Sequence, residues 1–246
     1  MFSRPNAETA CGMFTLPHII SLILCIGLII FALYFSRKID DKRVVLITRI
    51  MAIVFTAWEA CKIIFKFAIG DTLPDHWVPL YFCSLFIYAT IFCGFFNGSI
   101  CKLGEAFIAG GCILSGFSFL VVPSTSLTEY PVYHFLSIHS MLFHSCMVYL
   151  GILYVTKKGI KLNKGDYKRY LIFVGVFVSL ALVLNLILKQ NFMLMMNPYN
   201  IPIGFINSIA EKLPWLYTFF VIGLYLTVPF FLVKMLILII RQIKKR

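Results

Sequence analysis

Charged side chains are scarce in this chain of 246 residues, of which only 13% are charged while 61% are hydrophobic. Soluble domains are about half apolar and about a quarter charged. This composition therefore excludes an ordinary soluble protein, and no polar stretch is long enough to build a separate soluble core. The sequence predicts an all-α polytopic membrane protein in which residues 1–246 form a single transmembrane domain.

Acidic residues are also few, with 10 Asp and Glu against 22 Lys and Arg, which leaves a net charge of +12. A basic chain can bind nucleic acid, but here the basic residues lie in short segments between apolar runs. In that position positive charge sets topology and meets anionic lipid. We expect membrane phospholipids or an acyl-bearing lipid as partners, and no nucleic acid. Nucleotide-binding motifs are absent, so ATP coupling would need a partner chain.

Metal-binding and redox patterns are missing as well. None of the eight cysteines forms a CxxC pair, and most lie in apolar runs, where a thiol behaves as a small hydrophobic group. His134, His139 and His144 are spaced by five residues, which is about 500° of helix, so they do not share one face. We expect no metal and no cofactor. We expect His134 to be solvated near the interface and His144 to make an interhelical hydrogen bond.

Long apolar runs, in contrast, are abundant. Seven of them approach the roughly 20 residues that a helix needs to cross a bilayer. The fourth is rich in glycine, alanine and serine, which allow close helix approach, so we expect it to be central in the bundle. The seven predicted spans are approximately Phe14–Phe35, Val44–Phe67, Trp77–Phe96, Ala106–Val122, Val132–Tyr154, Tyr170–Leu188 and Pro214–Ile240.

The basic residues predict the orientation of these spans. Four follow the first span, one follows the third, six follow the fifth and four lie in the tail, which makes 15 on one side. Only Arg4, Lys189 and Lys212 lie on the other side. The positive-inside rule places the N-terminus outside and the C-terminus in the cytoplasm. The charge balance around Phe14–Phe35 is opposite to that of a signal peptide, so this run should remain as the first helix.

Three ionisable side chains lie within apolar spans. If each span is helical, Glu59, Cys83 and His139 lie roughly 12, 9 and 10 Å from the outer ends of their spans. Polar groups at such a depth are costly and are functional-site hypotheses by default. An imidazole can take the proton of a cysteine thiol, and an acid can orient the imidazole. The alternatives are an apolar filling role for Cys83 and a packing role for His139.

A second polar group lies on the helix face that carries Glu59. Lys62 and Lys66 follow it at i+3 and i+7, which predicts an internal ion pair with Lys66 extending outward to solvent. The same face can instead line an outward-opening cavity in which Lys62 holds a phosphate or carboxylate head group. His18 either joins such a site or caps the first span. His76, directly before the third span, is a further supporting candidate.

Five segments occur in a fixed order along the chain, namely Phe14–His18, Pro79–Leu85, Ser137–Ser140, Asn191–Pro198 and Leu213–Tyr217. Together they resemble the YwaF-type family of bacterial integral membrane proteins, which is similar to the eukaryotic transmembrane protein 164 family. The resemblance runs from about residue 12 to residue 225. It implies an acyltransferase that moves fatty acyl chains between lipids, with Cys83 and His139 as catalytic residues, in a bacterial plasma membrane. Tyr81 departs from the family pattern, which usually has a histidine or similar polar residue there; Leu216 is a second departure.

The leading hypothesis is a thiol-dependent lipid acyltransferase or lipid-remodelling enzyme that acts in the outer leaflet. Cys83 would attack an acyl ester after His139 takes its proton. Lys62 would hold the lipid head group, and Asn191 or Asn197 would donate to the developing oxyanion.

The alternative is a non-enzymatic carrier or permease. Glu59 and Lys62 would then form its substrate or proton-coupling site. The two hypotheses differ in whether function depends on Cys83.

Overall fold

The described part of the chain is a bundle of α-helices without a β-strand. The structure is a computed structural model that describes residues 9–71, 73–199, 201 and 203–243. Arg4 and Lys244, Lys245 and Arg246, which enter the orientation argument, lie outside these residues. The helices are α1 (Leu16–Phe35), α2 (Asp41–Ala68), α3 (Pro74–Trp77), α4 (Leu85–Phe95), α5 (Gly98–Gly110), α6 (Cys112–Val121), α7 (Phe135–Thr156), α8 (Lys164–Leu188), α9 (Gly204–Lys212) and α10 (Pro214–Ile243).

Five of these helices, α1, α2, α7, α8 and α10, are long and apolar enough to cross a membrane. Helices α5 and α6 make a sixth if they are taken as one span bent by 41°. In lipid the backbone must satisfy its own hydrogen bonds, and a helix does so within one segment. The structure therefore supports a multi-pass helical membrane protein with five or six such helices among the described residues.

The third predicted span differs most from the structure. We expected a helix from Trp77, but α4 begins at Leu85 and has 11 residues. Pro79 has no amide hydrogen and disfavours the helical conformation in the residue before it. Val78 is accordingly extended, with φ −93° and ψ 116°. The helical depth calculated for Cys83 is therefore wrong, because residues 78–84 are not a regular helix.

The bent pair α5–α6 packs against α1, α4, α7, α8 and α10, which confirms the expected central position of the fourth span. Its glycines lie where a neighbouring helix comes close to the backbone of the bent pair. A Cβ added at Gly116 would lie 2.8 Å from the carbonyl oxygen of His144, and one at Gly110 would lie 2.5 Å from the Phe230 ring. Small residues are thus required for this bundle to close around its centre.

The irregular segments gather at one end of the bundle. Segments 69–84, 122–134 and 189–203 form what we call the loop end, and the basic segments 36–40 and 157–163 form the basic end. At the basic end Lys157 donates to the carbonyl oxygen of Arg37. At the loop end the side chain of Asn185 in α8 bonds both backbone groups of Phe192, at 3.0 and 2.6 Å. Helix α9, which the sequence patterns did not predict, follows the last loop and has no buried residue.

Candidate functional site

A cavity of about 480 Å³ lies between the helices at the loop end. Its walls come from α2, residues 75–84, α6, α7 and α10, together with parts of segments 122–134 and 189–203. Five of the eight predicted site residues line it, and they are Glu59, Lys62, His76, Cys83 and His139. Apolar side chains such as Leu114 and Phe143 complete the wall, so the cavity suits a molecule with both polar and apolar parts.

Cys83 lies at the N-terminal end of α4. Its carbonyl oxygen accepts a hydrogen bond from the Phe86 amide at 3.0 Å, and Ser84, the N-cap, makes no side-chain capping bond. The thiol is free and partly buried. The positive end of a helix dipole favours a thiolate, whereas the apolar wall opposes any charged form. A neighbouring base would therefore determine how readily this thiol ionises.

His139 projects from α7 next to the polar face of α2. It is only 4% exposed, and its Nε2 lies 3.8 Å from Oε2 of Glu59 without a hydrogen bond. The ring meets the edge of Trp58, with centroids 4.9 Å apart. Glu59 also pairs with Lys62, which confirms the predicted internal ion pair. The carboxylate of Glu59 thus lies between a lysine and an imidazole.

Lys66 does not extend into solvent, as we had expected. It is 7% exposed, and its Nζ donates to Oδ2 of Asp71 at 2.8 Å. The same carboxylate binds Nδ1 of His76 at 2.7 Å. Burial raises the pKa of Asp71, but the hydrogen bonds from Lys66 and His76 outweigh it, so the pKa lies below its ordinary value. The expectation failed because Asp71 supplies a buried partner beyond the helix end.

Two histidine expectations from the fifth span are also wrong. His134 is fully buried at 0% exposure, because its ring stacks on Tyr130 and its Nδ1 accepts from the Leu136 amide as the α7 N-cap. His144 bonds the Ser140 carbonyl within its own helix, with Nδ1 at 2.7 Å, and among the described residues it makes no interhelical hydrogen bond. Its ring instead stacks on Phe119 with centroids 3.6 Å apart, and it lines the cavity.

His18 holds the start of α1 and is not among the cavity-lining residues. Its Nδ1 accepts from the Phe14 amide at 2.9 Å, and its Nε2 lies 3.0 Å from the carbonyl oxygen of Leu120. Since a carbonyl only accepts, Nε2 carries the hydrogen. His18 was predicted either to join the site or to cap the first span, and its contacts in the structure are those of a cap.

Asn191 and Asn197 hold each other in segment 189–203. The amide of Asn191 donates to Oδ1 and to the carbonyl oxygen of Asn197, both at 3.0 Å, and its Oδ1 accepts from the Met196 amide at 2.9 Å. Neither residue lines the cavity. Their predicted oxyanion role stays a prediction, and the contacts shown organise the turn.

Four further residues at the cavity mouth escaped the sequence patterns. Tyr81 donates to Asp75 at 3.5 Å, and Tyr199 donates to Glu129. Burial and the hydrogen bond to Glu129 raise the pKa of Tyr199, so its hydroxyl stays protonated. These loop residues lack periodic spacing, and only the acid and aromatic content of the loops could have drawn attention to them. No metal-binding group of three or more His, Cys, Asp or Glu occurs within the part of the chain that the structure describes.

Comparison with known proteins places the chain in a family. A family model described as the TMEM164 family matches residues 13–236. No curated protein and no solved structure gives a significant match. Because the match covers most of the sequence, the chain belongs to the TMEM164 family. Assignment to a YwaF-type bacterial branch stays a prediction.

Proposed function

We propose that this member of the TMEM164 family is a lipid acyltransferase that uses Cys83 as nucleophile and His139 as base. The observation that carries the proposal is the convergence of Cys83, His139, Glu59 and Lys62 on one cavity. These residues come from three separate parts of the chain, and hydrocarbon surroundings make each of them costly. An apolar wall beside them suits an acyl chain.

The proposed first step makes an acyl-enzyme. His139 takes the proton of the Cys83 thiol, and the thiolate attacks the carbonyl carbon of an acyl ester. The ester C–O bond breaks, and the leaving alkoxide receives the proton from His139. The carboxylate of Glu59, 3.8 Å from Nε2, stabilises the imidazolium that exists between the two proton transfers. Transfer of the acyl group to an acceptor alcohol then restores the Cys83 thiol.

We further propose that all seven apolar segments cross the bilayer, with the N-terminus outside and the C-terminus in the cytoplasm. The irregular residues 78–84 together with α4 would make the third crossing. Non-helical backbone is tolerated at membrane depth where it lines a cavity, and residues 81–84 do so. This orientation faces the cavity mouth to the outer leaflet, where Lys62 would hold a lipid phosphate, in a bacterial plasma membrane.

Mass spectrometry of the purified protein incubated with a diacyl phospholipid tests this function. We expect an acyl thioester on Cys83 that hydroxylamine removes. Cys83→Ala should lose both the adduct and turnover, whereas Cys146→Ala, a thiol on α7 outside the cavity lining, should keep both. Full acyl transfer by the Cys83→Ala protein would overturn the mechanism.

A carrier or permease is the second candidate, and the Glu59–Lys62 ion pair inside the cavity favours it. Intramembrane charge pairs often mark a substrate or proton path. This candidate requires that Glu59→Gln abolishes function while Cys83→Ala leaves it intact. Bound lipid released from the purified protein without any thioester would point the same way.

A further inference from the structure

His144 and His139 line the same cavity from the same helix, but only His139 has a role in the proposed first step. Nδ1 of His144 lies 2.7 Å from the carbonyl oxygen of Ser140. A carbonyl oxygen can only accept, so Nδ1 of His144 carries the hydrogen. The neutral ring therefore presents Nε2 as an unprotonated acceptor. The backbone of α7 fixes this tautomer, which is the one a general base needs.

That Nε2 is buried and has no hydrogen-bond partner. The residue as a whole is only 6% exposed, and stacking on Phe119 holds the ring in place. A buried acceptor left without a donor costs roughly 1–3 kcal/mol. Nε2 itself has almost no accessible surface, so a small shift of the cavity wall would let an O–H or N–H donor in the cavity reach it and remove that cost. The nitrogen is thus an unused acceptor beside the cavity.

The surroundings of His144 suggest where such a donor would lie. His144 is five residues beyond His139 along α7, which places it roughly 7.5 Å deeper in the bundle. The hydroxyl-bearing residues Ser115, Ser118 and Ser140 line the cavity as well. Polar side chains therefore continue along the cavity wall beyond Glu59 and Lys62.

We propose that His144 is a second catalytic base that binds the hydroxyl of the acyl acceptor. This inference rests on the proposed function and assigns the second half of the reaction. The acceptor O–H donates to Nε2 of His144, and its oxygen attacks the carbonyl carbon of the Cys83 thioester. A C–O bond forms, the C–S bond breaks, and the O–H proton passes to Nε2. The proton then returns to the departing sulfur, which restores the thiol and the neutral imidazole.

The division of labour predicts different kinetic defects for the two histidines. In single-turnover experiments a diacyl phospholipid loads Cys83, and a long-chain primary alcohol, which is not the leaving alcohol of the loading step, then accepts the acyl group. His144→Gln should load Cys83 within about threefold of the wild-type rate and transfer the acyl group about a hundredfold more slowly, as expected for loss of a general base. The thioester should therefore accumulate. His139→Gln should not load.

Two further variants guard the interpretation. Ser145→Ala removes a buried hydroxyl that bonds the Met141 carbonyl of its own helix at 2.8 Å, outside the cavity lining, and should leave both steps unchanged. His144→Asn retains an N–H group near the Ser140 carbonyl but lacks a group at the position of Nε2. It should show the same transfer defect, so it replaces His144→Gln in the test if the Gln variant folds poorly. The unfolding temperature of each variant in detergent monitors folding.

The possible failures are distinguishable. Transfer at the wild-type rate by His144→Gln or by His144→Asn, with normal loading, would overturn the role of His144 and leave the proposed function intact. An equal loss of loading and transfer in a folded variant would also overturn it, since the residue would then be structural. Absence of any thioester in the wild-type protein would overturn the proposed function, and with it the role of His144.

Discussion

The two ends of the bundle differ in how completely their buried polar groups are hydrogen-bonded. At the basic end they are paired, as in Thr48 with Tyr154 at 3.0 Å and Ser36 with Tyr149 at 2.6 Å. Among the described residues, every buried side-chain polar atom without a hydrogen bond lies between the loop end and the middle of the bundle. These atoms belong to Glu59, Asp75, Ser126, Tyr130, Ser137, His139 and His144.

The backbone follows the same division. Non-glycine residues with positive φ at the loop end are Lys189, Met193, Leu194 and Tyr199, with values between 52° and 55°, whereas the basic end has Leu162 at 54°. Unsatisfied groups and uncommon backbone conformations persist where the surrounding structure holds them, and they concentrate at functional sites. The comparison supports the proposal that the loop end carries the chemistry while the basic end stabilises the bundle.

The largest expected effect comes from removing the negative charge of Glu59, which lies between Lys62 and His139. Glu59→Gln should lower acyl transfer about a hundredfold, because the imidazolium of His139 loses its carboxylate partner. The rate of thioester formation on Cys83 measures this. The matched control is Glu105→Gln, whose carboxylate pairs with Lys158 at 2.9 Å at the basic end. Equal losses in the two variants would contradict the functional difference between the ends.

A smaller effect, on the free energy of unfolding, should come from overpacking of the bundle. A Cβ at Gly104 would lie 2.6 Å from the carbonyl oxygen of Ala89 and 2.8 Å from the Cys93 sulfur. Since backbone cannot move away easily, Gly104→Ala should destabilise the fold by about 1–3 kcal/mol. Gly175→Ala, where nothing lies within 4 Å of the added Cβ, should not. Unfolding temperatures in detergent that are equal for both would show that α4 and α5 are not closely packed.

The smallest expected effect is a pH dependence at the cavity mouth. The folded-state pKa of Asp71 lies below its ordinary 3.8, so its ionised form contributes stability above that pH. This contribution should be lost as the pH falls through the lower folded-state pKa. The unfolding temperature of wild type should exceed that of Asp71→Asn at pH 7, and the difference should shrink below about pH 4.

Asp41→Asn is the control for that measurement, since Asp41 is exposed at the basic end. A difference between wild type and Asp71→Asn that persists unchanged to pH 2 would show that the Lys66–Asp71–His76 contacts do not depend on ionised Asp71.

Sequence patterns correctly predicted the features that depend on residues close together in the chain. The Glu59–Lys62 pair follows from i, i+3 spacing, and the close approach at Gly116 follows from a run of small residues. The patterns failed where a side chain's position depends on a partner outside its helix or on irregular backbone. Lys66 pairs with Asp71 beyond the helix end, His134 is a buried N-cap, and α4 begins eight residues late, after a helix break at Val78 and Pro79.

The amino-acid sequence alone determined that this is a helical membrane protein, because long apolar runs in lipid have few structures that satisfy the backbone. It also placed costly ionisable groups in those runs. Only the tertiary structure decided that Glu59, Cys83 and His139 line one cavity, and that His144, whose Nε2 is buried without a hydrogen-bond partner, lines it too. The physical reason is that helix packing, bends and loop contacts join residues far apart in the chain, and local spacing carries no information about them.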